Sequence, residues 1–454
     1  VSGVISNLKP RVSYGVNGNV NGIGNYEVYG EYAQVESKNY GGATGLYNSK
    51  LLNTNLRWEQ SQTFEVGLDI GFLQNRLSFI LDYYSRDTKD LLTKQALPGY
   101  TGFSDIVTNQ GTLRNYGFEA EVRANIINKG GFTWDMNANI SSVANKIISL
   151  PYNGVDKNRV GGYEVAAGKV GADGKFPTKW IAGRQEGGKL GELVAYKQQH
   201  IFKDWDDVKQ HANMRIDEVA NLYGPGLADQ INPLTNKPYK ESTGWQPIEP
   251  GDVCWEDMNG DDVINGYDRY VVGNIFPNIT GGFSTTFGYK GISLYARFDY
   301  ALGHTLYNDL AARSLGQYQG SFNVIDKVKD TWSEANPNSD LPKFYYADQL
   351  SKKNITRSND SNTAADSNSS RFYEKGDYLA LREITLSYQL PKSLISKVHM
   401  TDASVYVTGQ NLFYITGYDG VSPEPAVSTT YGRGIDNGRY PTPRTFLFGL
   451  SLTF

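Results

Sequence analysis

Residues 117–140 read GFEAEVRANIINKGGFTWDMNANI, and this stretch decides the fold class. Apolar and polar residues alternate from Phe118 to Ile126 and again from Phe132 to Ile140, with the glycine turn Asn128–Gly131 between the two runs. Successive side chains of a β-strand point to opposite faces of a sheet, so a period of two predicts strands. We therefore expect a hairpin with one apolar face and one charged face, as at a boundary between lipid and water.

The same alternation returns elsewhere in the chain, in residues 64–72, 283–289 and 292–302. Two fold classes produce it, because a membrane β-barrel has an apolar outer face and a soluble β-sandwich has an apolar inner face. The alternation alone leaves both classes open.

The lengths of the connections separate the two classes. Eleven stretches have the length and pattern of long strands, namely residues 10–17, 25–36, 57–73, 77–87, 114–127, 132–146, 279–289, 292–306, 378–390, 402–416 and 445–454. Their connections are alternately tight (18–24, 74–76, 128–131, 290–291 and 391–401) and long (37–56, 88–113, 147–278, 307–377 and 417–444). Short turns on one side and long loops on the other are typical of an outer-membrane barrel, whereas a sandwich has Greek-key connections. We expect an all-β, transmembrane, antiparallel up-and-down β-barrel with long extracellular loops; the less favoured alternative is a soluble glycan-binding or adhesin sandwich.

The two longest connections contain further patterned segments. Residues 193–202 have the composition of a strand, but a span there would put the turns 128–131 and 290–291 on opposite sides of the membrane. We therefore place this segment, with the helical-looking residues 204–220, inside the loop 147–278. The loop 307–377 contains residues 321–334 and a Ser- and Asn-rich tract at 351–370. We expect such loops to be surface segments and mobile.

Composition excludes several classes of protein. The chain has 454 residues, 49 of them Gly, with 13% aromatic residues and 44 basic residues against 48 acidic ones. This balance gives no basic footprint for nucleic acid, and the aromatic content argues against disorder. No stretch is apolar for long enough to form a transmembrane helix.

No motif in the sequence predicts an enzyme. The four histidines, His200, His211, His304 and His399, are scattered without the i, i+4 spacing of a metal site, and neither a Walker loop nor a nucleophile elbow is found. The carboxylates Glu119, Glu121 and Asp135 fit the hydrated wall of a polar lumen better than a paired acid–base site. Cys254 lies in a loop, and we expect an inert or weakly reactive thiol.

A set of short motifs resembles the SusC/RagA family of TonB-dependent outer-membrane transporters. Their order and spacing run through essentially the whole chain, and they include LKPRVSYG (8–15), LRWEQ (56–60), LDIGF (68–72), DYY (82–84), TKDLL (88–92), NQGTLRNYGFE (109–119), LREITLSY (381–388), GQNLF (409–413) and GVSPE (420–424), with Trp332 and the pair Asn336–Pro337. The resemblance implies active import of a bulky nutrient, an oligosaccharide or an oligopeptide, across the outer membrane of a Gram-negative bacterium.

The resemblance also implies partners. These are a SusD-like surface lipoprotein acting as a lid, the outer-membrane lipid, and TonB, which acts through an amino-terminal plug. The alternative function is a passive porin-like channel.

The strand count departs from this family pattern. Such transporters have roughly 22 strands around a plug, and single-chain bacterial barrels have even strand numbers. Eleven strands without a plug or TonB box predict that residues 1–454 are the carboxy-terminal half of a barrel. The remaining half would then be a partner, and with the carboxy terminus on the periplasmic side an odd count places Val1 outside.

Tyrosines in the long loops are candidates for contact with substrate or lid, since aromatic rings stack on sugars and pack at protein interfaces. The candidates are Tyr318, Tyr345, Tyr346, Tyr431 and Tyr440. Packing or membrane-interface roles are the more common use of such residues.

Residues 257–268 read DMNGDDVINGYD and suggest a calcium loop. Oxygen ligands stand at positions 1, 3, 5, 9 and 12 and a backbone carbonyl at position 7, the spacing of the 12-residue EF-hand loop. The ligands would be Asp257, Asn259, Asp261, Val263, Asn265 and Asp268. Two positions depart from the pattern, because Asp262 replaces the turn glycine and Asp268 replaces a bidentate glutamate. The alternative is a metal-free turn held by side-chain-to-backbone hydrogen bonds.

Overall fold

The computed structural model describes residues 4–21, 23–24, 26–216, 220–317, 325–344, 368–424, 427–428, 432–438 and 440–454. Among these residues, ten strands form one antiparallel sheet, the main sheet, in which each strand pairs with the next along the chain. The strands are β1 Ile5–Asn19, β2 Glu59–Phe72, β3 Leu77–Ala96, β4 Asp105–Lys129, β5 Phe132–Ser149, β6 Ile279–Tyr289, β7 Ile292–Leu302, β8 Tyr378–Gln389, β9 Asp402–Thr416 and β10 Thr445–Thr453. This consecutive order is that of an up-and-down meander, so the Greek-key sandwich alternative is wrong.

One of the eleven predicted strands lies outside the main sheet. β1 pairs directly with β2, from Asn19 opposite Glu59 to Ile5 opposite Phe72. The predicted strand 25–36 instead falls in a separate hairpin formed by Glu31–Tyr40 and Ala43–Lys50. The predicted tight turn 18–24 is therefore wrong as well. Period-two alternation marks any strand with two unlike faces, and it does not distinguish a spanning strand from a loop hairpin.

A second predicted connection also differs from the structure. The predicted long connection 88–113 is short, because β3 and β4 continue as a paired ribbon from Leu91 opposite Gly111 to Ala96 opposite Asp105. The connections on this side of the sheet are L1 (20–58), L2 (97–104), L3 (150–278), L4 (303–377) and L5 (417–444). The short turns on the other side are 73–76, 130–131, 290–291 and 390–401.

The strand count also fixes where the chain enters the main sheet. With an even number of strands among the described residues, β1 starts at Ile5 on the same side as the short turns. The prediction that placed Val1 on the long-loop side rested on the extra strand 25–36, and Val1 itself lies outside the described residues.

The main sheet has two chemically distinct faces, because residues opposite each other in an antiparallel pair share a face. The apolar face carries Val12, Val66, Tyr83, Phe118, Ile140, Phe283, Phe298, Leu386, Val407 and Phe448. The polar face carries Arg11, Glu65, Asp69, Asp82, Glu119, Glu121, Asn139, Ser284, Arg297 and Thr385. Val12 on β1 and Phe448 on β10 are 72% and 83% exposed, so the apolar face is open to its surroundings at both edges of the main sheet.

The long loops contain short elements of their own. Their strands are Tyr163–Ala166, Thr178–Ile181, Glu192–Tyr196, Gln198–Ile201, Arg215–Ile216, Leu222–Tyr223, Ile231–Asn232, Lys237–Pro238, Gln246–Pro247, Val253–Trp255, Val263–Ile264, Arg269–Asn274, Thr305–Asn308, Asn368–Ser369, Tyr373–Lys375, Val427–Ser428, Gly432–Arg433 and Ile435–Asp436. The helices are α1 Trp205–Gln210 and α2 Asp309–Ala312, with α3 Lys392–Ile395 in a short turn and a π-helical turn at Arg313–Gln317. Turns of 3₁₀ helix are Glu27–Tyr29, Gly99–Thr101, Asp156–Asn158, Pro225–Leu227, Tyr239–Glu241, Gly266–Asp268, Asp326–Asp330, Ser370–Phe372 and Ser396–Val398.

Two expectations for the L3 segments have different outcomes. Residues 193–202 lie inside L3, as predicted, where they form the strands Glu192–Tyr196 and Gln198–Ile201. The predicted helix over 204–220 is limited to α1, which begins after the cap Asp204 and ends before His211. In the part of the chain that the structure describes, no helix is long and apolar enough to cross a membrane.

L3, L4 and L5 pack together into one layer, the loop layer. The L3 strand Glu192–Tyr196 pairs with Asn368–Ser369 of L4, and the L4 strand Thr305–Asn308 pairs with Ile435–Asp436 of L5. The largest fully buried side chains of the described residues all lie in L3 and L4, and include Trp255, Tyr196, Tyr307, Phe202 and Phe372. The expectation that these loops are surface segments is therefore wrong for their buried interior.

Candidate functional site

The polar face is held by ion pairs between neighbouring strands. The guanidinium of Arg11 donates to Asp69 on β2 at 3.0 Å and to Asp82 on β3 at 2.8 Å. Arg114 on β4 makes two such bonds to Asp87 on β3, at 2.6 and 2.8 Å. Paired charges of this kind keep the face hydrophilic while they tie adjacent strands together.

The centre of the polar face forms a shallow depression that spans β4 to β8. It is lined by both charged and amide side chains, including Glu121, Asn137, Asn139, Ser284, Arg297, Asp299 and Arg382. Hydrogen-bond donors and acceptors therefore stand side by side on one surface. Such a surface can bind neutral polar groups, such as the hydroxyls of a sugar or the amides of a peptide.

Arg382 lies at the edge of this depression, where β8 contains a bulge. Glu383 pairs with Arg297 and Leu381 pairs with Phe298, which leaves Arg382 as the extra residue of the strand. A bulge redirects a side chain and is often found beside functional sites.

The Arg382 guanidinium contacts partners from three elements. It bonds both oxygens of Asp299 on β7, one of them at 3.0 Å, and it bonds Glu424 in L5. It also donates to the hydroxyl of Tyr414 on β9 at 2.9 Å, and that hydroxyl donates to Glu424 at 2.8 Å. This cluster fixes L5 against the polar face of the main sheet.

The predicted lumen carboxylates lie on this same face. Glu121 accepts from Arg123 at 2.6 Å, and Glu119 accepts from Ser141 at 3.4 Å. Asp135 accepts a bond from the side-chain amide of Asn125. All three carboxylates thus accept hydrogen bonds from neighbouring polar side chains, and their role in a lumen wall stays a prediction.

The candidate calcium loop is a dense set of side-chain-to-backbone hydrogen bonds. Asp257 accepts from the N–H groups of Gly260 and Asp262 at 2.6 and 2.8 Å, and Asp268 accepts from those of Met258 and Asn265, both at 2.8 Å. Asp262 has a φ of 61°, the left-handed conformation that the turn position requires. Burial raises the pKa of Asp268 to about 7, and its two backbone hydrogen bonds act in the opposite direction. These bonds are those of the metal-free turn, and the calcium site stays a prediction.

Four of the five candidate tyrosines fall outside the part of the chain that the structure describes. Tyr318, Tyr345, Tyr346 and Tyr431 lie outside the described residues. Tyr440 in L5 is 94% exposed, so its ring is accessible to a partner or a ligand.

One group of residues was not anticipated from the sequence. His200, His211 and Cys254 each bring a ligand atom to within 4.8 Å of the other two, and among the described residues this is the one His, Cys, Asp or Glu group with that property. The Cys254 thiol is fully buried, and burial raises its pKa to about 12. The inert or weakly reactive thiol stays a prediction, and two of the four histidines that are scattered in the sequence lie close together in space.

The two faces of the main sheet and its alternation of short turns and long loops define a membrane-type β-barrel wall. A family model described as "TonB dependent receptor-like, beta-barrel" matches residues 3–226. Residues 3–226 thus match the β-barrel of TonB-dependent receptors, and the resemblance found in the sequence motifs is confirmed.

Named relatives agree with this assignment. TonB-dependent receptor P3 of Formosa agariphila is 28% identical over all of this chain and 40% of its own length. TonB-dependent receptor SusC of Bacteroides thetaiotaomicron is 27% identical over 99% of the chain and 38% of its own length. The chain therefore spans about two fifths of the length of these curated relatives.

A solved structure shares the fold. The RagAB peptide transporter superimposes with a TM-score of 0.69 at 23% identity, covering 100% of this chain and 42% of the matched chain. The same transporter in its open-open state gives 0.69 at 24% identity.

Proposed function

We propose that this chain forms part of the wall and outer loops of a transporter that imports a bulky polar nutrient across the outer membrane of a Gram-negative bacterium. TonB supplies the energy. The proposal rests on the polar face of the main sheet, which is continuous across the strands. The opposite face of the same sheet is apolar. A lipid-facing exterior and a hydrated interior require this arrangement in a barrel that transports polar solutes.

The loop layer favours the hypothesis of a gated transporter and argues against an open pore. L3, L4 and L5 share strand pairs and buried side chains, and Glu424 anchors L5 to the polar face. A packed layer on one side of the wall restricts free diffusion. It also offers a broad surface on which a SusD-like lipoprotein lid can seat.

The lining of the polar depression bears on the substrate class. Arg297 and Arg382 carry positive charge and Asp299 carries negative charge, and the neighbouring amides are neutral donors and acceptors. This mixture suits a neutral or zwitterionic polar molecule. Oligosaccharides and oligopeptides both fit this description. We propose that exposed loop tyrosines, Tyr440 and the candidates Tyr318, Tyr345, Tyr346 and Tyr431, add contacts to substrate or lid.

Uptake by the intact protein in its own host tests the proposal. A deletion strain is grown on panels of oligosaccharides and of peptides, with and without a functional TonB system. The proposal predicts that uptake requires both the transporter and TonB. The passive porin-like alternative predicts uptake without TonB and steady conductance in a planar bilayer, and either result would overturn the proposal.

A point variant tests whether the polar face lines the path of the transported solute. Arg297→Ala, on the polar face, should reduce uptake several-fold at unchanged protein levels, because a charged contact with the solute is lost. Leu386→Val, on the apolar face of the adjacent strand, is the matched control and should leave uptake unchanged. Equal uptake by both variants would place the transport path elsewhere.

A further inference from the structure

We propose that His200, His211 and Cys254 form a binding site for a borderline-soft divalent transition ion such as Zn²⁺. The ligand types are those that Zn²⁺ prefers, namely two imidazole nitrogens and one thiolate sulfur. The site is separate from the predicted calcium loop, whose ligands are all hard oxygen donors.

The three ligand atoms are slightly farther apart than they would be around a bound zinc ion. One ring nitrogen of each histidine and the Cys254 Sγ lie within 4.8 Å of one another, and Sγ is 3.9 Å from Nε2 of His211. In a tetrahedral zinc site, bonds of about 2.0 Å to nitrogen and 2.3 Å to sulfur place ligand atoms roughly 3.3–3.6 Å apart. Small side-chain rotations therefore close the site around an ion.

The ligands come from three elements of L3. His200 on strand Gln198–Ile201 lies directly opposite Cys254 on strand Val253–Trp255, so their side chains share one face of the pair. His211 follows the last residue of α1. Phe202 makes edge contacts with both histidine rings, at centroid distances of 5.5 Å, and forms an apolar wall beside them.

Neighbouring groups supply the outer contacts that metal-binding histidines use. The Asp207 carboxylate lies 3.3 Å (Oδ1) and 3.2 Å (Oδ2) from His200 Nε2, and it accepts the backbone N–H of Lys203 at 3.0 Å. A carboxylate paired with a histidine orients the ring and strengthens it as a ligand. Gln199 Oε1, 3.7 Å from the Cys254 sulfur, is a further oxygen at the site.

The burial pattern gives an ion access from one side. Cys254 is fully buried, whereas His200 and His211 are half-buried, so the histidines form the mouth of the site. As the metal–sulfur bond forms, the thiol proton passes to solvent and the thiolate electron pair is donated to the ion. The bound ion would then clamp two strands of L3 to α1, beside the core around Trp255.

The test uses the intact protein, purified in detergent without a polyhistidine tag. Co²⁺ is titrated as a spectroscopic probe, since thiolate ligation gives a charge-transfer band in the near ultraviolet. We expect one Co²⁺ per chain with this band, and displacement of Co²⁺ by Zn²⁺ but not by Ca²⁺. Cys254→Ser should abolish the band, and His211→Gln should weaken Co²⁺ binding at least tenfold.

His399→Gln is the matched control, because His399 is exposed on the short-turn side, far along the chain from the site. It should retain the band and the affinity. A second measurement needs no variant: Zn²⁺ should raise the unfolding midpoint of the wild-type protein, and Mg²⁺ should not. A wild-type protein without the band, an unchanged band in Cys254→Ser, or a midpoint insensitive to Zn²⁺ would overturn the proposal.

Discussion

Arg382 ties a loop to the main sheet through a single guanidinium group. Its side chain is 18% exposed, and its partners Asp299 and Glu424 are 36% and 33% exposed. Arg382→Met removes the guanidinium that both carboxylates contact. Water can solvate the two partly exposed carboxylates and so offsets part of the loss. We therefore expect the free energy of unfolding to fall by about 1–2 kcal/mol. Tryptophan fluorescence during urea unfolding of the detergent-solubilised protein measures this change.

Arg123→Met is the control for this prediction. Arg123 is 62% exposed and pairs with Glu121 on its own strand, so its loss should change the free energy of unfolding by less than about 0.5 kcal/mol. Arg382→Met should also make L5 more sensitive to protease. Equal losses for the two variants would show that the Arg382 cluster does not anchor L5.

Asp257 is the residue on which the predicted calcium loop depends. Both of its carboxylate oxygens accept backbone N–H groups, at 2.6 and 2.8 Å. Hydrogen bonds to a charged group contribute roughly 1.5–3 kcal/mol each, so Asp257→Ala should speed proteolysis within L3 several-fold. Asp229→Ala, in the same loop with a side chain that is 83% exposed, should leave the rate unchanged.

Chelation separates the two interpretations of this loop. With a bound calcium ion, EGTA lowers the protease resistance of wild-type L3 toward that of Asp257→Ala, and added Ca²⁺ restores it. With a turn held by hydrogen bonds alone, EGTA leaves the wild-type cleavage pattern unchanged. Cleavage of Asp257→Ala at the wild-type rate would contradict both interpretations.

Within the strands, several glycines are required where the neighbouring strand comes very close. A Cβ on Gly281 of β6 would lie 2.3 Å from the Asn139 carbonyl oxygen and 2.5 Å from the Tyr300 hydroxyl. Tyr300 lies across this glycine on β7 and donates to the same carbonyl at 3.1 Å. Because the nearest contact is backbone, Gly281→Ala should cost about 1–3 kcal/mol.

Gly15 of β1 provides the comparison for Gly281. Among the described residues, a Cβ added there meets nothing within 4 Å, so Gly15→Ala should be neutral or slightly stabilising. Urea midpoints of the two variants, measured side by side in detergent, give the difference. A neutral Gly281→Ala would mean that β5 and β6 separate at little cost.

Local pattern predicts the strands of the main sheet because each spanning strand meets lipid on one face along its whole length. Ten of the eleven predicted strands are present in the main sheet. The alternation in β4 and β5 places Phe118 and Glu119 on the correct faces. The pattern fails where a strand with two unlike faces pairs outside the main sheet. The hairpin at Glu31–Tyr40 alternates as a spanning strand does, yet its partner is Ala43–Lys50.

The loop sites are less predictable because their residues meet through long-range contacts. His211 and Cys254 are 43 residues apart, and no short spacing rule connects them. They meet because the strands at Gln198–Ile201 and Val253–Trp255 pair and α1 packs beside them, and this contact depends on the whole buried core of L3. The calcium-like spacing of residues 257–268, by contrast, is local and was visible in the sequence.

At the scale of the whole molecule, the loop layer and the main sheet divide the stabilising interactions between them. Many apolar side chains of the main sheet are exposed, while the largest fully buried side chains in the described residues lie in L3 and L4. The sheet is thus suited to burial in lipid, and the loop layer has a water-soluble type of core. This division explains why loops that read as irregular sequence form a defined structure.

The two edges of the main sheet provide the last prediction. Among the described residues, β1 pairs with β2 and β10 pairs with β9, and neither edge strand has a partner on its other side. In lipid, each unsatisfied backbone polar group costs several kcal/mol. In the intact protein we therefore expect each edge to pair with a further strand, and not with the other edge of this sheet.

Disulfide cross-linking in the intact protein measures which strands are neighbours. Val12 lies opposite Val66 in the β1–β2 pair, so the double variant Val12→Cys/Val66→Cys should form an intramolecular disulfide. Val12→Cys combined in turn with cysteines at Phe446, Phe448 and Leu450 of β10 should not. The native Cys254 is fully buried and does not interfere. Efficient cross-linking of β1 to β10 within one chain would mean that these strands close on each other as a small barrel, a lumen too narrow for a bulky nutrient.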